Sequence, residues 1–370
     1  MKKIKILFTI PNFDTAGSGK VLFDIARSLD PDKFDVYICC FHEKGKFYQI
    51  VKDSGLKVLI YRFSVDLELS INYLVKIKKV ISFFKKNKFD IIHSWHWSSD
   101  FSEPFAAKLA GAKWLYTKKA MSWGNKSWKI KSLLADKIIT INDEMGPQFF
   151  PGCNKLKLIP IGIDINYYAP IPKEEGLMKQ LNLKKNDFIL ISVANMVPVK
   201  GIELLIEAVV TLKEKISEIK LILVGDDEND YGLQLKQQVK ESSLTEFIIF
   251  VGKVLDVRPY HSVADLFVIP TKDEGRKEGM PMAPVEAMAS ENLVIGSKIS
   301  GIRYILKEFP DLLFSPGSVE ALVEKILWIY NLDLQKKVEL RQKLRAKVVN
   351  EYNMEKFIAR HEDVYLDLVS

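Results

Sequence analysis

Short runs rich in β-branched and aromatic residues, each followed by an amphipathic stretch, alternate along this chain in two successive series. The first series predicts strands at residues 4–10, 34–41, 57–61, 91–93, 114–117 and 137–141, with helices at 20–29, 47–54, 71–86 and 103–110. Alternation of this kind needs crossover connections, so the strands must lie parallel in a doubly wound sheet covered on both faces. The rhythm pauses at residues 158–164 and again through Pro170, Pro172 and a short charge run, which is linker material. It resumes with strands at 188–193, 219–224, 247–251 and 266–269 and helices at 201–212 and 233–240. After Pro316 the pattern is helical only, at 319–332, 334–350 and 355–366.

An α/β chain of 370 residues patterned this way reads as two Rossmann-like domains facing a cleft. The expected boundaries are 1–170 for the first domain and 171–352 for the second. A last helix at 353–370 has no strand left to cover in its own series, so it is expected to return to the first domain. A ligand belongs in the cleft, at the carboxyl ends of the strands.

Composition narrows the function. No apolar run approaches the roughly 20 residues that span a bilayer. Lys2 and Lys3 before the first strand imitate a signal peptide, but Lys5 and Pro11 interrupt the apolar stretch and no small-residue cleavage site follows. The 3 cysteines, with Cys39 and Cys40 adjacent in a core strand, offer neither a disulfide framework nor metal-ligand spacing; a reducing cytoplasm is the expected compartment. Net charge is +7, yet residues 76–137 hold 14 Lys against 4 acidic residues, a local excess of +10. A basic region in one half implies an anionic partner for that half. Nucleic acid is not expected, because no stacking module or groove-reading helix is present.

The densest chemistry lies after the strand at 266–269, where Glu278-Gly279-Met280-Pro281 leads to Glu286-Ala287-Met288-Ala289. Pro281 and Pro284 suit the start of a helix, where an N–H would lack a partner anyway. On this reading Gly279 and Met280 stand at the helix entrance with unbonded N–H groups, and Glu286 lies about one turn inside. Paired carboxylates accept from vicinal hydroxyls, so a hydroxyl-rich ligand fits. Lys200-Gly201, after the strand at 188–193 and a short turn from Asn195, supplies a cation for a diphosphate.

The frame Glu-Gly-x-Pro…Glu-Ala-Met-Ala, with its glutamates at 278 and 286, resembles the signature of retaining GT-B glycosyltransferases of the glycogen-synthase-like branch. Other pieces match in order: Ala16-Gly17-Ser18-Gly19 at the first glycine loop, Ile159 to Asp164 at the hinge, Val251-Gly252-Lys253 at the base-binding loop, and Ala264 to Pro270 before the signature. The resemblance implies a nucleotide sugar as substrate, without cofactor or metal. It implies Glu286 on the ribose, Glu278 beside the sugar, Lys200 on the diphosphate, Val251 at the base, and Asn195 with Gly279, Met280 and Pro281 also lining the donor site. Glu278, Lys200 and Lys119 are then the catalytic candidates, with Gly17, Ser18 and His96 on the acceptor side. The family commonly has Arg where Asn195 stands, and a His where Lys118-Lys119 follows the strand at 114–117. Charge builds on the leaving diphosphate, so a fixed cation lowers the barrier.

Simpler readings compete at several positions. Gly17-Ser18-Gly19-Lys20 is not a P-loop, since Asp14 and Val21 break the pattern. His93 and His96, between Trp95 and Trp97, serve either a stacking role at the cleft or a core. Asp226-Asp227-Glu228-Asn229-Asp230 imitates a metal-binding acid motif but is expected to be a solvated loop. The lysines of the helix at 71–86 either cover a sheet or touch an anionic membrane surface bearing a lipid-linked acceptor. The expected function is sugar transfer to a saccharide or lipid-linked acceptor in surface polysaccharide or glycolipid synthesis, in the cytoplasm or at the inner membrane face. UDP-sugars are the favoured donors. A sugar-nucleotide 2-epimerase and a catalytically weak sugar-nucleotide-binding protein of the same fold are the alternatives.

Overall fold

The computed structural model describes residues 2–14, 17–65, 71–275 and 278–370. Ala16 of the glycine loop and Lys277 before the first glutamate lie outside the described residues.

The chain divides into two units, Met1–Ile161 with Glu355–Ser370, and Gly162–Met354. In the first, β1 (Ile4–Thr9), α1 (Gly17–Ser28), β2 (Phe34–Cys40), α2 (Lys46–Asp53), β3 (Lys57–Ile60), α3 (Ile71–Asn87) and β4 (Ile91–Ser94) follow one another. They continue with α4 (Ser102–Ala110), β5 (Lys113–Lys118), α5 (Trp128–Leu134), β6 (Lys137–Thr140), α6 (Met145–Phe149) and β7 (Leu156–Leu158). All strand pairings are parallel, in the order β3-β2-β1-β4-β5-β6-β7. Strands β1, β4, β5 and β6 are nearly fully buried, as expected of a sheet covered on both faces. Cys39 and Cys40 are buried free thiols within it.

The second unit opens with α7 (Glu175–Gln180) and β8 (Phe188–Val193), a one-turn 3-10 helix Pro198–Lys200, α8 (Ile202–Leu212), β9 (Ile219–Val224) and α9 (Asp230–Glu241). Then come β10 (Ile248–Gly252), α10 (Arg258–Val263), β11 (Leu266–Ile269), α11 (Ala283–Ala289), β12 (Leu293–Ser297), α12 (Ser300–Ile305) and β13 (Leu313–Phe314). Helices α13 (Val319–Asn331) and α14 (Leu334–Glu351) complete it. Its parallel sheet has the order β10-β9-β8-β11-β12-β13. The first unit ends at Ile161, ahead of the expected boundary at 170: β7 stops at Leu158, and the Ile163 N–H already donates to the Tyr352 carbonyl inside the second unit.

The last helix, α15 (Met354–Val369), joins the first unit from Glu355 onward. Its buried residues include Phe357, His361 and Tyr365. The Tyr365 hydroxyl bonds His93 Nδ1 at 2.7 Å, Glu362 accepts from the Asp30 N–H at 2.8 Å, and Asp367 pairs with Lys137 at 2.9 Å.

Candidate functional site

In the second unit β8 and β11 are neighbours, and the strand order diverges from them in opposite directions. The crevice at such a switch point opens at the carboxyl ends of the two strands. Beyond β8 the chain passes Asn195, the 3-10 turn ending at Lys200, and Gly201; beyond β11 it passes Pro270 and Lys272 toward Glu278. The Lys272 N–H donates to the Val199 carbonyl at 2.8 Å, and its ammonium bridges Glu203 and Glu274, each at 2.8 Å. Gly201 has φ of 66°, and a Cβ there would stand 2.2 Å from the Pro270 carbonyl oxygen. Only glycine lets the two loops approach this closely. With the loops so joined, Lys200 Nζ donates to Glu278 Oε2 at 2.7 Å. The lysine side chain is 12% exposed and the glutamate 52%, so the pair has a buried cationic end and an open anionic one.

Helix α11 starts at Ala283, with Pro284 in its first turn and Glu286 one residue pair further on. The expected helix entrance at Gly279 and Met280 is therefore displaced. These two residues form a bend ahead of the helix, and neither is without a partner. Met280 and Pro281 are buried. A Cβ at Gly301 would lie 2.8 Å from the Glu278 carbonyl oxygen and 2.7 Å from that of Gly279, so Gly301, the second residue of α12, is where that helix supports the bend. The Glu286 N–H donates to the Met282 carbonyl at 2.9 Å, and its side chain is half-buried beside the Tyr168 hydroxyl. Burial, with Glu286 alongside, pushes the Tyr168 pKa well up, so this hydroxyl stays a donor to the carboxylate. Tyr167 next to it carries the Arg258 guanidinium 3.7 Å from its ring centre, and Asp256 holds that guanidinium at 2.9 and 2.6 Å. Asn195 is exposed, and Val251 is half-buried in β10 at the register shift between Phe250 and Gly252.

Sequence reasoning missed Tyr168, Lys272 and Gly301. Gly301 carried a readable signal, a glycine at a strand-to-helix turn. Tyr168 carried none, because 118 residues separate it from Glu286.

In the first unit the corresponding switch point lies between β1 and β4. Gly17 and Ser18, expected in a loop, form the first residues of α1. His93 is fully buried; Tyr365 and Thr117 bond its two nitrogens at 2.7 and 2.8 Å, so it is a core residue joining β4, β5 and α15. His96 is packed edge-on against Phe41 and Phe63, with ring centres 5.9 and 5.7 Å away. Burial, with Lys131 and Lys119 nearby, pulls its pKa down to about 3, so it is neutral at physiological pH. Lys119 donates to the Trp95 carbonyl and stands 5.3 and 5.4 Å from the ring centres of Trp95 and Trp97. Lys118 is buried and donates to the Ala120 and Ser122 carbonyls.

Lys131 is another residue that sequence reasoning missed. It is 1% exposed and donates to the carbonyls of His96 (3.2 Å) and Ser98 (2.8 Å), one on each side of Trp97. Burial lowers its pKa to about 8 against the attraction of Glu103 and Asp100. Glu103 is also buried and accepts from Thr9 (2.5 Å) and Ser94 (2.7 Å), with its pKa raised by burial. This polar core anchors the loop after β4.

The acidic run at 226–230 is only partly a solvated loop. Asp227 is buried and paired with Lys236 at 3.0 Å, and Asn229 caps α9 by accepting from Gly232 N–H. Among the described residues no group of three His, Cys, Asp or Glu is arranged to hold a metal ion.

Residues 15–167 match the family model described as Glycosyltransferase Family 4, and residues 173–349 match that of Glycosyl transferases group 1. The chain is 25% identical to the UDP-Gal:alpha-D-GlcNAc-diphosphoundecaprenol alpha-1,3-galactosyltransferase of Escherichia coli, over 96% of this chain and 94% of that one. Among solved structures, a glycosyltransferase from Rickettsia africae superimposes with a TM-score of 0.87 at 18% identity, covering 100% of both chains. Anabaena HepE in complex with UDP gives a TM-score of 0.85 at 20% identity, covering 98% of this chain and 100% of that one. With one family model on each half and a shared two-sheet architecture, the protein is a glycosyltransferase of the GT-B fold.

Proposed function

We propose that the protein transfers a sugar from a UDP-sugar to a saccharide or lipid-linked acceptor, retaining the anomeric configuration and using no metal ion. The setting is surface polysaccharide or glycolipid synthesis on the cytoplasmic side of the membrane. The observation that carries this reading is the Lys200–Glu278 pair at the β8/β11 switch point, with Glu286 on the adjoining helix. The E. coli relative is named for a UDP-galactose donor and a diphosphoundecaprenol-linked acceptor, and HepE was solved with UDP; both favour the same chemistry here.

Glu286, oriented by Tyr168, accepts from the ribose hydroxyls. The donor diphosphate competes with Glu278 for Lys200 Nζ. As Lys200 turns to phosphate, the released Glu278 carboxylate accepts from the hydroxyls of the transferred sugar. As the bond from the anomeric carbon to the phosphate oxygen breaks, the acceptor hydroxyl oxygen bonds that carbon from the same face and its proton passes to the departing phosphate oxygen, while negative charge grows on the diphosphate, where Lys200 is already in place. Asn195, Val251 and the bend at Gly279 to Pro281 line the donor, while Gly17, Ser18, His96 and Lys119 belong to the acceptor side. His96 is neutral and cannot serve as a cation there.

The test is a donor panel assayed in the presence of a chelator, with product configuration read by NMR. Lys200→Ala and Glu278→Ala should each lower kcat by about 10²–10³-fold, the range for losing one charge-stabilising group. Loss of turnover with chelator, or an inverted product, overturns the metal or stereochemical part. Unchanged turnover in both variants overturns the site.

A further inference from the structure

Helices α4 and α5 lie beside each other on the first unit's sheet, and α3 packs along α4. Each turns a buried side inward: Ala106 and Ala107 on α4, Lys131 on α5. Their outward sides are not polar. Phe105 and Leu109, one turn apart on α4, are 39% and 50% exposed, and Ile130 and Leu133 on α5 are 45% and 74% exposed. Soluble surfaces carry single exposed apolar residues routinely, but paired ones on neighbouring helices mark an interaction face. The exposed charged residues on the two helices are lysines, of which Lys108 pairs with Asp136 at 3.9 Å. Lys108 follows Phe105, Lys126 and Lys129 precede Ile130, and α3 adds further exposed lysines. These helices fall in the stretch where 14 Lys face only 4 acidic residues.

We propose that the outward face of α4 and α5 inserts shallowly into an anionic lipid surface, with Phe105, Leu109, Ile130 and Leu133 entering the acyl boundary and the lysines contacting headgroup phosphates. A bilayer surface fits because it offers both components at once, an apolar layer beneath a plane of negative charge. A protein partner would need a matching acidic rim around an apolar patch. No helix among the described residues is long and apolar enough to cross the membrane, so attachment through this face is interfacial. The same polar core that carries Lys131 and Glu103 lies under both helices, which makes the inserting face rigid. The inference deepens the lipid-linked acceptor reading and rests on it for its role, but the binding itself needs no acceptor.

The experiment is flotation of the full chain with vesicles of phosphatidylglycerol and phosphatidylcholine, and with phosphatidylcholine alone, at low and high salt. Binding is expected to the anionic vesicles, weakened by salt. Leu109→Asp/Leu133→Asp should lower the partition coefficient about tenfold or more, since each Leu loses its apolar burial. Lys126→Glu/Lys129→Glu should also weaken it, at low salt chiefly. Leu334→Asp, an equally exposed apolar position on the second unit, should leave it unchanged. All variants sit at exposed positions, and unchanged circular dichroism shows that they fold. The proposal is overturned by absence of wild-type binding, by undiminished binding of the leucine double variant, or by concentration-dependent self-association that this variant abolishes in place of vesicle binding. Because the vesicles hold no acceptor, flotation tests this face alone; intact flotation together with no transfer to a lipid-linked sugar supplied in a separate assay would refute the acceptor reading and leave this face standing.

Discussion

Gly201→Ala probes the contact that brings Lys200 to Glu278. Two costs apply. Gly201 sits at φ of 66°, a left-handed conformation that costs an alanine about 1–2 kcal/mol. The added methyl would also lie 2.2 Å from the Pro270 carbonyl oxygen, where real contacts stay beyond 3.0 Å. The two loops must then part by about 1 Å, at a further cost of about 1–3 kcal/mol. Gly317 isolates the first cost, because its φ is 77° and nothing lies within 4 Å of its Cβ position. Urea denaturation followed by far-ultraviolet circular dichroism should therefore rank the proteins wild type, Gly317→Ala, Gly201→Ala. The gap between the two variants should be about 1–3 kcal/mol in the transition of the second unit. Calorimetric titration with UDP should show weaker binding for Gly201→Ala only, since displacing Lys200 by about 1 Å disturbs a positioned group. Equal midpoints for the two variants would falsify the argument that close approach, and not backbone conformation alone, requires glycine at this turn.

Other outcomes follow from particular contacts. Glu286→Ala should weaken UDP binding by about tenfold or more, as expected for lost hydrogen bonds to a charged group; unchanged affinity by calorimetry removes the ribose assignment. Tyr365→Phe leaves one nitrogen of buried His93 unpaired and should destabilise the first unit by about 1–3 kcal/mol, so a wild-type melting profile would show that α15 is not anchored there. His93, His261 and His361 are buried and His96 is half-buried, all with pKa values below the ordinary 6.5, His96 at about 3 and both His261 and His361 at about 4. The unfolded chain takes up these protons first, so the stability present above pH 6.5 is lost as pH falls toward 4, by about 1.4 kcal/mol per unit for each of His96, His261 and His361, with His93 acting in the same direction. A flat profile between pH 6.5 and 5 contradicts this. Lys131 behaves in the opposite range. With its folded pKa at about 8 and an ordinary value of 10.5, the unfolded state holds the extra proton between these limits, and stability relative to Lys131→Met should rise across them; a falling difference refutes the burial of its ammonium.

Much of the second unit was legible because its strands are short, apolar and bounded by turns. Residues 188–193, 219–224 and 266–269 form strands as patterned. Strands β7, β12 and β13 escaped because two or three of their residues carry the pairing or a glycine interrupts the run, leaving no period to count. Helix α5 escaped because its inward residue is a lysine. Lys131 on the buried side makes an amphipathic pattern read as polar all round.

The glutamate frame and the lysine before Gly201 were readable because each is a local motif, and a turn followed by a helix positions its own side chains. The pairing of Lys200 with Glu278 was not readable at that level. It depends on β8 and β11 lying side by side, 78 residues apart in sequence, and on two loops close enough for a carbonyl to occupy the space of a missing Cβ. Desolvation of His96, capture of Lys119 by the Trp95 carbonyl and return of α15 to His93 have the same origin. Local patterning is enough to set which segments become strands and helices and which turns carry charge. Which of those charges are buried, neutral or paired follows from the folded packing, because it depends on desolvation by residues far away along the chain.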